Sequence, residues 1–294
     1  MQIESIKMFC DLSGTESFTK AAQINGITQS AVSQQIRAME RHFGCHLVER
    51  SKKKFRLTRE GEMLNQYGLN IIKTYDELCC KLQDLQSVVS GTIRLATIYS
   101  IGLHDLPSYL RNYLRKYPEV SVQVEYRRAT QVYEDIISNV ADIGMVAYPT
   151  RDPKLDIIQL QRDTMVIIAC PDHPFAKKES ISIKELDGQH FIAFETGTPT
   201  RKAVDKVLKE KGISVDIVME FDNVETVKRA VEINNGVALV PSRTVSLELE
   251  SHSLSVLPLN DVVLYRPLAA LVKKDKFLSP AMREFITELK NSPH

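Results

Sequence analysis

Gln29, Ser30, Ser33, Gln34 and Arg37 fall on one side of a helix-periodic stretch. Amides, hydroxyls and guanidinium groups are what hydrogen-bond base edges and phosphates in a major groove. A basic run follows, Arg50, Lys52, Lys53, Lys54, Arg56 and Arg59, with no acid from Ser51 to Arg59. Such a cluster attracts a phosphate backbone. Taken singly, each feature has an ordinary alternative, a polar helix face or a solvated basic loop. Placed together, behind a tight turn and within a wing, they predict a DNA-reading surface.

Little else in the chain offers local chemistry. An HExxH pair, a phosphate-binding loop, GxSxG and a dinucleotide-binding GxGxxG are all absent. Five cysteines, an odd number with Cys79 and Cys80 adjacent, form neither a disulfide framework nor a zinc site. Beyond residue 90 only Cys170 remains, which argues against a two-cysteine redox switch there and leaves it a strand-end core position. His104, His173 and His190 are widely separated with no companion motif and read as structural or surface residues. The sequence calls for no catalysis, cofactor or metal.

The elements that must carry these residues follow from periodicity. Ile3, Ile6, Met8, Phe9 and Leu12 make one amphipathic helix ending near Gly14, and a second begins near Ser17. Asn25-Gly26 breaks it, and Thr28 caps a third helix whose buried side is Ala31, Val32, Ile36 and Met39. Ala22, Gly26 and Val32 have the spacing of a helix-turn-helix: a small residue for close approach, a turn, and a branched residue between the helices. His46–Glu49 and Phe55–Leu57 pair around the basic tip as a wing. From Thr58 a long helix is expected to run to Val89, because Leu64, Gly68, Ile71, Tyr75, Leu78, Leu82, Leu85 and Val89 alternate at spacings of four and three. A small winged domain offers no surface for so long a seam, so pairing with a second copy is expected.

After Ser90-Gly91 the pattern changes to alternating strand and helix. Strands are expected at Thr92–Ile98, Val120–Tyr126, Ile143–Ala147, Met165–Cys170, Phe191–Phe194, Ile217–Phe221, Val237–Val240 and Leu268–Val272. Helices are expected at Leu106–Tyr117, Gln131–Asn139, Arg201–Lys211 and Val224–Asn234. This implies an α/β fold with helices flanking mainly parallel sheets, divided into two lobes because about 200 residues is long for one sheet.

The 294 residues are 43% hydrophobic and 26% charged, proportions of an ordinary globular chain. The net charge of +1 hides an asymmetry: residues 1–60 hold ten basic against six acidic residues, +4, which leaves −3 for the remainder. No apolar run approaches the ~20 residues that span a bilayer. Met1–Cys10, with Glu4 and Lys7 among apolar residues, is unlike a signal peptide, so a cytoplasmic protein without a membrane partner is expected.

These submotifs bring a family into view. S-F-T-K-A-A, I-T-Q-S-A-V-S-Q-Q-I-R-A-M-E, F-G, L-V-E-R and L-T-R-E-G occur in the order of the winged helix-turn-helix signature of the LysR-type transcriptional regulators, which the whole chain resembles. Val48 departs from it, where many members have Phe. The resemblance implies a winged helix-turn-helix over residues 1–58 and a linker and dimerisation helix over 59–90. It further implies a two-lobed effector domain like type-2 periplasmic binding proteins over 91–294. Lobe 1 would comprise 91–161 and 266–294, and lobe 2 would comprise 162–265. It implies double-stranded DNA as partner, a homodimer through the linker helix and a homotetramer. Gln29, Ser30, Ser33 and Gln34 would meet bases, while Arg37, Arg50, Lys52 and Lys53 would meet phosphates.

For the effector, the family position points between the lobes, to Tyr99 and Ser100, Thr130, Tyr148, and Thr198, Thr200 and Arg201. The start of a helix at Thr198–Arg201 favours an anion, through free amides and the helix dipole. Arg201 or Arg128 would supply charge. Against this stand the plainer readings of Ser and Thr as caps and of Arg128 as solvent-facing. G-T-P-T-R and F-D-N-V-E-T-V-K-R-A-V are similar to members that respond to small sulfur or carboxylate anions, which makes a sulfur oxyanion or a small carboxylate the expected effector. The competing classes are a solute-binding protein and an enzyme on the same two-lobed scaffold.

Overall fold

A computed structural model describes residues 1–49, 55–85, 88–233 and 236–291, so Arg50, Lys52 and Lys53 at the expected wing tip lie outside the described residues. Helix α1 (Ile3–Thr15) buries Ile6, Met8, Phe9, Cys10 and Leu12. Helix α2 (Phe18–Ile24) starts where the Ser17 hydroxyl accepts the Lys20 amide, and α3 (Gln29–Phe43) where the Thr28 hydroxyl accepts the Ala31 amide. Ala22 and Val32 are buried in one core with Phe9, Met39 and Leu47, and Gly26 takes φ +63 between the two helices. Gly44 closes α3 in the left-handed region. Val48 and Leu57 bridge antiparallel, so the described part of the wing pairs as expected.

Helix α4 (Arg59–Leu85) begins with the Thr58 hydroxyl accepting the Gly61 amide at 3.0 Å. Its apolar stripe is not uniform. Leu64 packs into the winged-domain core, and Gly68 lies so close to α1 that a Cβ there would stand 2.9 Å from Ile6 and 3.0 Å from Cys10. From the next position outward the stripe is bare: Ile71, Tyr75, Leu78 and Leu82 are 47, 42, 53 and 52% exposed. The expected helix end at Val89 is wrong. The helix is described to Leu85 and residues 88–90 are not helical, because Val89 packs against the core of the following domain, a burial that continuing the helix would forfeit.

The remainder is the expected alternation. In order come β1 (Gly91–Thr97), a π turn (Ile101–Asp105), α5 (Leu106–Lys116), β2 (Val120–Tyr126), α6 (Ala129–Ile137) and β3 (Ile143–Ala147). Then follow β4 (Leu155–Ala169), β5 (His190–Phe194), α7 (Pro199–Lys211), β6 (Asp216–Phe221), α8 (Val224–Glu232) and β7 (Ala238–Pro241). Helix α9 (Ser246–Glu250), β8 (Ser255–Leu257), β9 (Tyr265–Lys273) and α10 (Pro280–Asn291) complete the chain.

The main sheet runs β2-β1-β3-β9-β4-β7, with β8 beside β4, while β5 and β6 pair in parallel and reach β7's side through a Phe191–Val237 bridge. The sheets are mixed rather than mainly parallel as expected, because β9 runs antiparallel to both β3 and β4. Strand β4 begins ten residues earlier than expected, since it travels between two lobes. It pairs with β9 from Leu155–Lys273 to Thr164–Tyr265, slips register between Gln159 and Arg162, then joins β7 at Met165–Pro241. One lobe has its cores around Leu95, Tyr113, Met145 and Phe285 and around Val132, Val146 and Leu271. The other has its cores around Ile167, Phe191, Leu208 and Leu239 and around Val227 and Val240.

Candidate functional site

Helix α3 displays the expected polar face. Gln29, Ser30, Gln34 and Arg37 are exposed and Ser33 half-buried, opposite Val32, Ile36 and Met39 in the core. Gln29 is the first helical residue, the end from which such a helix reaches base edges. The Ser30 hydroxyl is already bonded to Thr28 at 2.9 Å, so it would have to exchange that partner to meet a base. Beneath the helix the Glu40 carboxylate accepts the Leu47 amide at 3.0 Å, which fixes the wing's base to α3.

Between the lobes lies a cleft of about 310 Å³. Of the seven residues expected there, Tyr99, Ser100, Thr130, Thr198 and Thr200 line it, and Tyr148 and Arg201 do not. Three helices begin at its wall: α6 after Arg128, α7 after Thr198 and α8 after Asn223. Their first amides and dipoles make it favourable to negative charge. The Thr198 oxygen accepts the Arg201 amide at 3.2 Å, so it is a cap whose own proton stays free for the cleft. Cap and ligand contact are therefore compatible. Tyr99 stacks on Tyr126 with centroids 5.2 Å apart, walling one side.

Arg201 is a correction to the expected site. One residue on from Thr200 turns it about 100° round the helix, away from the cleft and under the β5–β6 pair. There its Nε donates to Asp205 at 2.7 Å and its Nη1 donates to Glu220 at 2.7 Å and to the Phe194 carbonyl at 2.9 Å. The bond from Arg201 holds the Glu220 carboxyl below its usual range. Tyr148 is the second correction: its ring packs on the first lobe's core, where burial pushes the phenol up while the Arg266 charge pulls it the other way. Arg128, in contrast, does more than face solvent. It reaches across the cleft from one lobe to Glu195 at 3.4 Å and Asp222 at 3.3 Å on the other.

Sequence reasoning missed Glu195, Asp222 and Asn223, although F-D-N-V-E-T carried the signal of an Asn cap opening a helix. It also missed what lies behind Ser100. Arg266 donates from Nη2 to the Ser100 oxygen at 2.5 Å, and its Nη1 stands 4.0 Å from Asp163. The neighbouring Asp105 carboxylate accepts Arg243 of the opposite lobe at 2.9 Å, and His104 meets Glu225 at 2.8 Å. Burial raises the Asp105 carboxyl against the pull of Arg243 and Arg266, and lowers the Arg266 guanidinium. The signal that could have found Arg266 is a lone arginine two positions before the apolar run Leu268–Val272.

His104, His173 and His190 are not brought together. His104 pairs between lobes, His173 accepts the Phe175 amide at 3.1 Å, and His190 stands 3.5 Å from Asp216.

Comparison with known proteins agrees with this arrangement. Residues 86–293 match the family model of the LysR substrate binding domain, and residues 3–62 match that of the bacterial regulatory helix-turn-helix protein, lysR family. The chain is 28% identical to a probable RuBisCO transcriptional regulator of Porphyra purpurea, over 98% of this chain and 92% of that protein. It is 29% identical to the HTH-type transcriptional activator CmpR of Synechocystis sp., over 98% and 94%. A full-length OxyR variant from Pseudomonas aeruginosa shares the fold with a TM-score of 0.73 at 19% identity, over 98% of this chain and 94% of that one. The Synechocystis CcmR regulatory domain in complex with 2-PG gives a TM-score of 0.62 at 25% identity, over 70% and 100%.

Proposed function

Because this chain belongs to the LysR family of transcriptional regulators, we propose a residue-level reading of how it senses and acts. It is a DNA-binding regulator whose second domain binds a small-molecule effector, and its family and relatives are regulators rather than enzymes. In our reading Gln29, Ser33 and Gln34, with Ser30 once released from Thr28, read base edges. Arg37, with the wing residues Arg50, Lys52 and Lys53, meets phosphates. Two copies pair through the bare stripe of α4, and pairs associate further into a tetramer.

The effector is a small anion held by Ser100, Thr130, Thr198 and Thr200, with Arg128 released from Glu195 and Asp222 to meet it. The single observation carrying this is the convergence of three helix starts on one cleft between the lobes. A cavity of about 310 Å³ suits a carboxylate metabolite better than a bare sulfur oxyanion. The relative whose structure holds 2-PG supports a small ligand at the corresponding domain. The anion gains more from one lobe spacing than another, and that difference turns the paired winged domains relative to the DNA.

Thermal unfolding in a panel of sulfate, sulfite, thiosulfate, succinate, malate and citrate tests the effector reading. Saturation at ~100 times Kd stabilises the native state by about 2.7 kcal/mol. A selective rise in Tm that Thr198→Ala abolishes is expected; no rise with any anion overturns the anionic cleft. For the DNA face, Gln29→Ala should weaken binding to an operator selected from random duplexes by about 1–3 kcal/mol and leave binding to unrelated DNA nearly unchanged. Equal loss on both, in a fluorescence titration at fixed salt, removes Gln29 from base reading.

A further inference from the structure

Arg266 presents a contrast with the other arginines of this domain. Arg94 sets its fork on Asp142 at 3.2 and 2.9 Å, and Arg201 closes on Asp205 and Glu220. Those are ordinary structural pairs, in which the guanidinium is spent on carboxylates. Arg266 is the most deeply buried of the three at 1% exposure, with Asp163 and Asp105 around it, yet it makes no hydrogen bond to either. Among the described residues its Nε and Nη1, Oδ2 of Asp163 and Oδ2 of Asp105 are all buried without a hydrogen-bond partner. Its one short bond goes to a hydroxyl that lines the cleft.

The direction of that bond is fixed. A guanidinium carries only donors and keeps its protons in a protein, whereas a hydroxyl has one proton and two lone pairs. The Ser100 oxygen must therefore accept from Arg266 and turn its proton elsewhere. Among the described residues no acceptor takes it, which leaves the cleft. On the opposite lobe Thr198 is polarised in the same sense, since its oxygen accepts an amide that cannot reverse either. Two hydroxyl protons thus face one space from both sides.

We infer that Arg266 is a positioning and specificity-determining residue: by holding the Ser100 oxygen it commits the hydroxyl to donating, so that the cleft takes a carboxylate or sulfur oxyanion and refuses the neutral amide of the same shape. This rests on the effector reading of the cleft above and adds the residue that sets its polarity. A carboxylate oxygen accepts from both hydroxyls. An amide presenting its NH₂ group there sets donor against donor, and a site built around fixed hydrogen bonds discriminates strongly against a ligand that cannot complete them.

A double-mutant cycle decides it, with the full-length protein titrated calorimetrically with sulfate, succinate and neutral succinamide. The four proteins are wild type, Arg266→Lys, Ser100→Ala and the pair combined. Wild type is expected to prefer succinate to succinamide by at least about tenfold. Arg266→Lys keeps the buried charge but loses the fork, and should lower anion affinity by about tenfold and shrink the preference. In the Ser100→Ala background the same change should have no further effect, because Arg266 acts through that hydroxyl. An equal loss in both backgrounds overturns the inference and makes Arg266 a support of the fold alone. Wild type that binds succinate and succinamide alike also overturns it. Wild type that binds neither sulfate nor succinate overturns this proposal, while the effector reading stands or falls on the full anion panel above.

Should Arg266→Lys fail to fold, guanidinium ¹⁵N NMR of wild type and Ser100→Ala replaces it. The buried Nη resonance should move on adding succinate only while Ser100 is present. Movement in both proteins, or in neither, overturns the inference.

Discussion

A variant carrying Glu at both Leu78 and Leu82 is expected to lose the pairing through α4, halving the wild-type mass, and to bind its operator at least about 100-fold more weakly, since linking two half-site contacts gains 10²–10⁴ in affinity. Both leucines lie on the outer part of α4, more than half exposed, so the chain's own fold does not depend on them. In a paired helix they would form successive seam positions with Ile71 and Tyr75. Burying a leucine fully is worth about 1.5–3 kcal/mol, and the substitution replaces two such gains in each chain with like charges facing each other. Sedimentation equilibrium gives the mass and a fluorescence titration the affinity. A variant that keeps the wild-type mass shows that the copies meet elsewhere, and the stripe then needs another occupant.

Gly61→Ala should destabilise the winged domain by about 3 kcal/mol, at the upper end of the range for forced overpacking. A Cβ at this position would stand 2.1 Å from the Leu47 carbonyl oxygen and 3.1 Å from its carbon, with the Leu57 Cβ at 3.3 Å. These first two are backbone atoms, so no side-chain rotation relieves the clash. The same Leu47 oxygen accepts the Thr58 amide at 3.1 Å, so moving it away breaks the joint between wing and linker helix. Gly14→Ala is the control: its Cβ meets nothing within 4 Å inside a helix, and it should stabilise by about 0.5–1 kcal/mol. Urea unfolding followed by circular dichroism compares the two. If Gly61→Ala unfolds at the wild-type midpoint, α4 and the wing are not locked as the structure has them.

The glycine of L-T-R-E-G also shows what the sequence could and could not convey. Its place in a motif was visible, but the carbonyl it must clear is fourteen positions away in the chain and comes close only through folding. Local signals read well where local physics decides the outcome. Thr28, Ser17 and Thr198 cap helices because a hydroxyl at that spacing has an amide to accept. Strands β2 and β3 fall at their expected residues, β2 because Val120, Val122 and Val124 alternate with polar residues and β3 because it is a short buried run. The first half of β4 did not read as a strand. Its burial is interrupted by exposed Asp156, Gln159 and Arg162, as expected of a segment in transit between lobes. Helix α10 was not foreseen either, and its buried Met282, Phe285, Ile286 and Leu289 need lobe 1 present to be worth burying. At the cleft, hydroxyls next to helix starts were legible. The facing of Arg201 was not, because one step along a helix decides between cleft and core and nothing in the composition records the choice.

The placement of β9 between β3 and β4 has a consequence for the protein's synthesis. The β3 edge at Gly144–Ala147 is completed by Leu268–Leu271, which the ribosome makes more than a hundred residues later. At 5–20 residues per second that interval is about 6–25 s. Throughout it the winged domain is complete and able to fold, while the sheet of the effector domain has an open edge and an unfinished core. Newly made chains therefore acquire the capacity to grip DNA before they acquire the capacity to be regulated, and the nascent β3 edge is where a chaperone or a neighbouring nascent chain would first attach.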